Sequence, residues 1–274
     1  MSEALLEASG LRKVYAVRSP GALRKSEFTA VDNVSFAVPA GGALAIVGES
    51  GSGKTTCARM VVGLERPSGG ELLVDGRSRE GRARAKDRRA RARQIQMVFQ
   101  DPYLSLDPRQ RIRDCLGEAL GLHFDLTRDQ LHVRTDALLD QVGLDSRQGD
   151  ALPRALSGGQ RQRAAIARAL AAEPRLLILD EAVAALDVSI QAQVLNLLAD
   201  IRADTGIAYV FITHDLAVAR QICDDAIVMN RGKIVERGSV DRVLESPQEP
   251  YTRRLVSSVP RPGWKPRRRA AAAS

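Results

Sequence analysis

The feature that most constrains this chain is the octet Gly48-Glu49-Ser50-Gly51-Ser52-Gly53-Lys54-Thr55, which follows the short apolar run Ala43-Leu44-Ala45-Ile46-Val47. It fits G-x-x-x-x-G-K-[ST], and it stands between a predicted strand and a predicted helix, where that pattern has a mechanism. Glycines let backbone N–H groups curl around phosphate oxygens without a Cβ in the way. The following helix adds the positive end of its dipole. Lys54 supplies a point charge for the β and γ phosphates, the Thr55 hydroxyl can ligate Mg²⁺, and Thr56 can donate to a further phosphate oxygen. A five-residue apolar run ending in glycine reads as a strand buried on both faces of a parallel sheet.

A second strand signal ends in acids: Leu176-Leu177-Ile178-Leu179-Asp180-Glu181. In an open parallel sheet, ligands gather at the carboxyl ends of the strands. Asp180 is therefore placed to hold the magnesium, directly or through water, and Glu181 to orient and polarise an attacking water. Together with the phosphate loop, this pair points to a nucleoside triphosphatase.

The rest of the chain reads as alternating strands and helices. Strands are expected at Leu5–Tyr15, Phe28–Val38, Glu71–Val74, Gln94–Phe99 and Ile207–Thr213, with a loop at Ser19-Pro20-Gly21. Asp75-Gly76 and Asn230-Arg231-Gly232 read as turns, the second joining a hairpin of Ile227–Met229 and Lys233–Glu236. Apolar residues at helical spacing between Arg109 and Gly143 predict an inserted helical subdomain. Helices are further expected from about Gly53, after Ser157, at Ile190–Ala203 and at Leu216–Ile222. The alternation predicts an α/β fold with a largely parallel sheet.

Charge and cysteine content narrow the classes further. The 274 residues carry a net +8. Arg77–Arg93 alone holds nine basic and two acidic residues, and the tail from Arg261 holds five basic residues and no acid. The remainder is thus mildly acidic, which argues against a general nucleic-acid binder with a basic face on the fold. The two segments read as a solvated helix face and a disordered end, or alternatively as contacts for anionic lipid or an acidic partner. Cys57, Cys115 and Cys223 lie far apart without a CxxC spacing, so neither a disulfide framework nor a zinc knuckle is expected and a reducing compartment fits. The opening MSEALLEAS lacks a basic then apolar leader, and no apolar run approaches membrane-spanning length.

Leu156-Ser157-Gly158-Gly159-Gln160 precedes the alanine-rich stretch Ala164–Leu170. Physically it is a second helix N-terminus, with a serine cap and bare glycine amides. Combined with the phosphate loop and the acidic pair, it resembles the LSGGQ signature of the ABC ATPases, and the resemblance spans roughly residues 5 to 245. It implies a P-loop NTPase sheet core with an antiparallel β subdomain and an inserted α-helical subdomain at about 103–157. It also implies a cassette over 1–245, and a C-terminal extension with a basic tail over 246–274. By the same resemblance Tyr15 is the aromatic that stacks on adenine, against the alternative of a core aromatic. Gln100 is the Q-loop glutamine, touching magnesium or water and facing the membrane partner. Asp187 is the D-loop acid, and His214 is the switch histidine that contacts the γ-phosphate. His123 and His132 match nothing. In this family Ser157 and the Gly158 and Gly159 amides cap the γ-phosphate of ATP bound by a second subunit, so the chain holds two half-sites and needs a partner ATPase, identical or paralogous.

Three further runs are similar to the ATP-binding subunits of oligopeptide, dipeptide and nickel importers. They are Phe99-Gln100-Asp101-Pro102-Tyr103-Leu104-Ser105-Leu106-Asp107-Pro108-Arg109, the run Asp180–Gln193, and Ser246-Pro247-Gln248-Glu249-Pro250-Tyr251-Thr252-Arg253. This implies two transmembrane permease subunits, an indirect link to an extracytoplasmic solute-binding protein, and a place on the cytoplasmic face of the inner membrane. Two other expectations stand beside it: a soluble ABC ATPase within a cytosolic complex such as a phosphonate-cleaving assembly, and a nucleic-acid-linked ABC ATPase suggested only by the basic stretches. Ala184 stands where the family usually has serine, which is expected to modulate hydrolysis. The lack of cysteine after Cys223 implies no C-terminal iron–sulfur cluster.

Overall fold

A computed structural model of the chain describes residues 4–17, 26–79 and 85–257. The strands are β1 (Ala4–Val17), β2 (Ser26–Pro39), β3 (Ala43–Val47), β4 (Gly69–Val74), β5 (Arg77–Ser78), β6 (Ile95–Val98), β7 (Leu176–Asp180), β8 (Ala208–Thr213), β9 (Asp225–Asn230) and β10 (Lys233–Ser239). The helices are α1 (Lys54–Val62), α2 (Ala85–Gln94), α3 (Ile112–His123), α4 (Arg128–Gln141), α5 (Ser146–Gly149), α6 (Gly158–Leu170), α7 (Val188–Thr205), α8 (Leu216–Ile222), α9 (Val240–Glu245) and α10 (Pro250–Ser257). Among the described residues the strands form two sheets, an antiparallel β2-β1-β4-β5 and a six-stranded β10-β9-β3-β8-β7-β6 that is parallel except for β10.

The apolar runs of the large sheet are continuous because both of its faces are covered. Every residue of β3, β7 and β8 is buried. Successive side chains point to opposite faces of a strand, so each strand divides its residues between two cores. Ala43, Ala45, Val47, Leu177, Leu179, Tyr209 and Phe211 pack with α3, α4, α6, α7 and α8. Leu44, Ile46, Leu176, Ile178, Val210 and Ile212 pack with α1 and the antiparallel sheet. The register aligns Val47 with Thr213 and Ile212 with Asp180, so the carboxyl ends of β3, β8 and β7 finish side by side.

Two local departures from the sequence reading have simple causes. The predicted strand at Gln94–Phe99 is shorter, because Gln94 closes α2. The basic stretch is not wholly solvated. Arg79 donates to the carbonyl of Arg91 at 3.1 Å and Arg91 to that of Arg79 at 3.0 Å, tying β5 to α2. Burial, then the neighbouring Arg91 charge, push Arg79 down to about 10. Arg93 and Arg134 both lie over the Phe124 ring, at 4.2 and 4.5 Å from its centre, and Glu173 pairs with both guanidiniums. The Ser19-Pro20-Gly21 loop, part of the 77–93 stretch and the basic tail lie outside the described residues.

Candidate functional site

The loop between β3 and α1 takes its shape from its glycines. Gly51 and Gly53 have φ of +77° and +104°, a region that L side chains rarely adopt. A Cβ on Gly53 would come within 2.5 Å of the Ala30 carbonyl oxygen, whereas one on Gly51 would meet nothing within 4 Å and would project into open space. The loop therefore closes on the protein at one glycine and leaves room at the other, as a phosphate cradle requires. Ser52 is buried, and its Oγ has no hydrogen-bond partner.

Lys54 opens α1 and is 5% exposed. Its ammonium donates to the carbonyls of Gly48 at 2.8 Å and Glu49 at 2.9 Å. Burial lowers its pKa, and the charges of Glu181 and Asp180 raise it in opposition. The next residue, Thr55, donates its hydroxyl to Asp180 Oδ1 at 3.1 Å. Asp180 is buried at the end of β7, and desolvation pushes its carboxyl up against the pull of that hydroxyl. A hydroxyl and a carboxylate in contact are hard oxygen donors of the kind Mg²⁺ prefers, and Mg²⁺ commonly takes only one or two protein ligands, filling its sphere with water and phosphate oxygens. The pair thus fits that ion.

Glu181 lies immediately beyond β7 with φ of +48°, in the left-handed region. Its N–H still donates to the Ile212 carbonyl at 2.9 Å. A non-glycine residue held there costs on the order of 1–3 kcal/mol, and such strain concentrates where a side chain must be aimed. The aim is visible: Glu181 Oε2 accepts from Gln100 Nε2 at 3.3 Å and faces His214 Nδ1 at 3.7 Å. Three residues from three separate strand ends thus meet at one carboxylate oxygen. A carboxylate so held can accept a proton from water.

The cavity above these groups measures about 880 Å³, and Tyr15, Lys54, Thr55, Thr56, Gln100, Glu181 and His214 border it. The Tyr15 hydroxyl donates to Glu65, and the Lys13 ammonium sits 5.0 Å from the centre of its ring. Burial, then the bond to Glu65, raise the Tyr15 phenol. Tyr15 is therefore half-buried at the cavity wall, not in the core.

Ser157, Gly158, Gly159, Gln160 and Asp187 are not among the residues bordering that cavity. Ser157 and Gln160 form a reciprocal cap on α6: Ser157 Oγ accepts from the Gln160 N–H at 3.3 Å, and Gln160 Oε1 from the Ser157 N–H at 2.8 Å. Asp187 caps α7 by accepting the Ile190 N–H at 3.0 Å. A Cβ on Gly159 would lie 2.4 Å from Ile190 Cγ2, so glycine there lets the start of α6 press directly on the start of α7. The site also contains residues that the sequence reading missed. Phe28, Ala30, Asp215 and Leu255 border the cavity, and the Tyr251 hydroxyl accepts the Glu49 N–H at 3.0 Å. The similarity of the segment around Tyr251 to importer subunits was the one available signal, and it carried no hint of that contact.

Residues 31–184 match the family model described as ABC transporter. This chain belongs to the ABC transporter family. Among curated ABC relatives it is 44% identical over 258 residues to the di/tripeptide transport ATP-binding protein DppF of Pseudomonas aeruginosa, covering 94% of this chain and 80% of that protein. It is 42% identical over 263 residues to the oligopeptide transport ATP-binding protein OppF of Bacillus subtilis, covering 96% and 84%. Among solved ABC structures, the ATP-binding cassette MJ0796, a dimer in a post-hydrolysis state bound to ADP and Pi, superposes with a TM-score of 0.76 at 26% identity, covering 86% of this chain and 98% of that one.

Proposed function

We propose that this chain is the ATP-binding and ATP-hydrolysing subunit that powers an ABC importer for peptides or similar small solutes. The observation that carries the reading is the meeting of Gln100, Glu181 and His214 beside the phosphate loop, in a chain so alike over nearly its whole length to two peptide-transport ATP-binding proteins. The same likeness favours transport over a soluble enzyme complex.

In this reading Gly48, Glu49, Ser50, Gly51, Ser52 and Gly53 wrap the triphosphate, Lys54 neutralises its β and γ charges, and Thr56 donates to a phosphate oxygen. Tyr15 takes the adenine. Thr55 and Asp180, with Gln100 close by, hold Mg²⁺, which when bound neutralises charge on the phosphate oxygens. Glu181 accepts a proton from the attacking water, while His214 and Gln100 hold Glu181 and contact the γ-phosphate side. Phosphoryl transfer asks mostly for positioning and fixed charge, and these residues supply both.

The capped starts of α6 and α7, which carry Ser157–Gln160 and Asp187, fit the second half of a site completed between subunits. The ATPase works as a dimer with an identical or paralogous partner, and Ser157 with the Gly158 and Gly159 amides caps the ATP held by that partner. Leu104, 71% exposed on the turn after Gln100, offers an apolar foothold for two membrane-spanning permease subunits. Among the described residues no helix is long and apolar enough to cross a membrane. By its likeness to peptide-transport ATP-binding proteins, the chain docks at the cytoplasmic face of the inner membrane and meets the solute-binding protein only through the permease. Residues 1–245 form the cassette and 246–274 its extension.

The test is co-purification from the membrane fraction, with mass spectrometry of the partners, followed by ATP-driven peptide uptake in vesicles carrying the complex. Recovery with cytosolic enzymes, without permease subunits, would refute the transport assignment.

A further inference from the structure

The Ser246–Thr252 segment has a defined seat. Glu236 on β10 accepts the N–H groups of Gln248 at 2.8 Å and Glu249 at 3.2 Å. Arg253 donates to the carbonyls of Pro247 and Gln248, both at 3.0 Å. Pro250 then opens α10, where its missing N–H costs nothing. These bonds fix the start of α10 so that Tyr251, 8% exposed, reaches the phosphate loop from outside.

What the tyrosine grips is specific. Its hydroxyl accepts the Glu49 N–H at 3.0 Å. The carbonyl of the same peptide unit, that of Gly48, accepts from Lys54 Nζ at 2.8 Å. One peptide group is thus bracketed by an ammonium and a phenol oxygen. An ammonium on a carbonyl polarises the amide, and polarised chains of hydrogen bonds reinforce one another. Farther along the loop, the Gly232 N–H holds the Ser52 carbonyl at 2.9 Å.

We propose that Tyr251 is a positioning residue for nucleotide: by accepting the Glu49 N–H it fixes the peptide unit on which Lys54 rests, and so presets the phosphate loop. The inference rests on the reading that this loop binds ATP. A preset loop binds more tightly because the ligand does not have to order it. Tyr251→Phe keeps the ring and its packing but leaves the Glu49 N–H without its acceptor.

The experiment titrates the full-length chain with magnesium and a non-hydrolysable ATP analogue, comparing the parent with Lys54→Ala, Tyr251→Phe, Glu236→Ala and the Tyr251→Phe/Glu236→Ala double variant. Lys54→Ala is expected to lose tight binding. Tyr251→Phe should bind about five- to tenfold more weakly, the effect of one lost hydrogen bond, with the melting midpoint of the nucleotide-free chain within about 2 °C of the parent. The Glu49 amide resonance should shift in the ¹⁵N spectrum. Glu236→Ala, which leaves the ring intact, should also weaken binding, and should add nothing once Tyr251 is Phe, because both act through one contact. If Lys54→Ala binds like the parent, the loop assignment falls and takes the proposal with it. If Lys54→Ala fails to bind while Tyr251→Phe stays within twofold of the parent, the loop stands and the role of Tyr251 is refuted. Additive effects of Tyr251→Phe and Glu236→Ala would mark α10 as merely structural and overturn it equally.

Discussion

Glu181→Gln isolates the chemistry from the architecture. The substituted side chain has the same length and shape, and it can keep the backbone at φ +48°. Its carbonyl oxygen can still accept from Gln100 Nε2, 3.3 Å from the present carboxylate oxygen, so the local structural cost stays near or below about 1 kcal/mol. What it cannot do is take a proton from water. A positioned general base contributes roughly 10²–10⁴-fold, or about 3–5 kcal/mol of barrier. Phosphate release by the assembled complex should therefore fall by at least about a hundredfold, while nucleotide affinity changes less than about threefold. With hydrolysis slowed and binding intact, ATP should hold the two ATPase subunits together, visible as a persistent dimer by gel filtration. Turnover within tenfold of the parent, at unchanged affinity, would show that Glu181 does not activate the water.

Three further outcomes follow from the geometry. If Lys54 neutralises the phosphates as proposed, Lys54→Ala should abolish tight ATP binding, measured by titration calorimetry; normal affinity would refute the loop assignment. Gly159→Ala should lower stability by about 1–3 kcal/mol through the 2.4 Å contact with Ile190 Cγ2. Adding Ile190→Ala should recover part of that loss in the melting midpoint, and no recovery would place the strain elsewhere. The last outcome concerns pH. Burial pushes the Glu236 carboxyl up, but the N–H groups of Gln248 and Glu249 bond the charged form and the Arg242 charge favours it, and the net effect is a pKa below its ordinary 4.5. The unfolded chain thus binds this proton more readily than the folded one, so the contribution is complete above about pH 4.5 and is lost as pH falls through the folded value. The gap in melting midpoint between the parent and Glu236→Gln should narrow in that acid window, and a gap independent of pH would count against it.

Much of the fold is written locally. Ala43–Val47, Leu176–Asp180 and Ala208–Thr213 announce strands buried on both faces because their runs stay apolar or aromatic until the carboxyl ends at Asp180 and Thr213. The phosphate loop is likewise legible, since glycine, lysine and threonine at fixed spacing state their own geometry. The capping box at Ser157 and Gln160 is readable for the same reason: its partners are three residues apart. What escapes is contact between distant segments. Nothing near Glu49 says that Tyr251 will take its N–H, and nothing near Phe124 says that Arg93 and Arg134 will enclose it. The short α9 and α10 were missed as well. The first has too few residues for a periodic pattern, and the second hides behind prolines and a run of polar residues. The left-handed backbone of Glu181 was invisible because propensity disfavours it there, and only the surrounding fold imposes it.

The order in which the chain is made bears on the loop's brace. The phosphate loop is synthesised before β8 and β9, which flank β3, and before the tyrosine that accepts the Glu49 N–H. A growing chain on the ribosome therefore carries a complete motif without its scaffold, and such distant pairings are slow to form. The braced form of the loop therefore has to wait for segments that are made well after the motif itself.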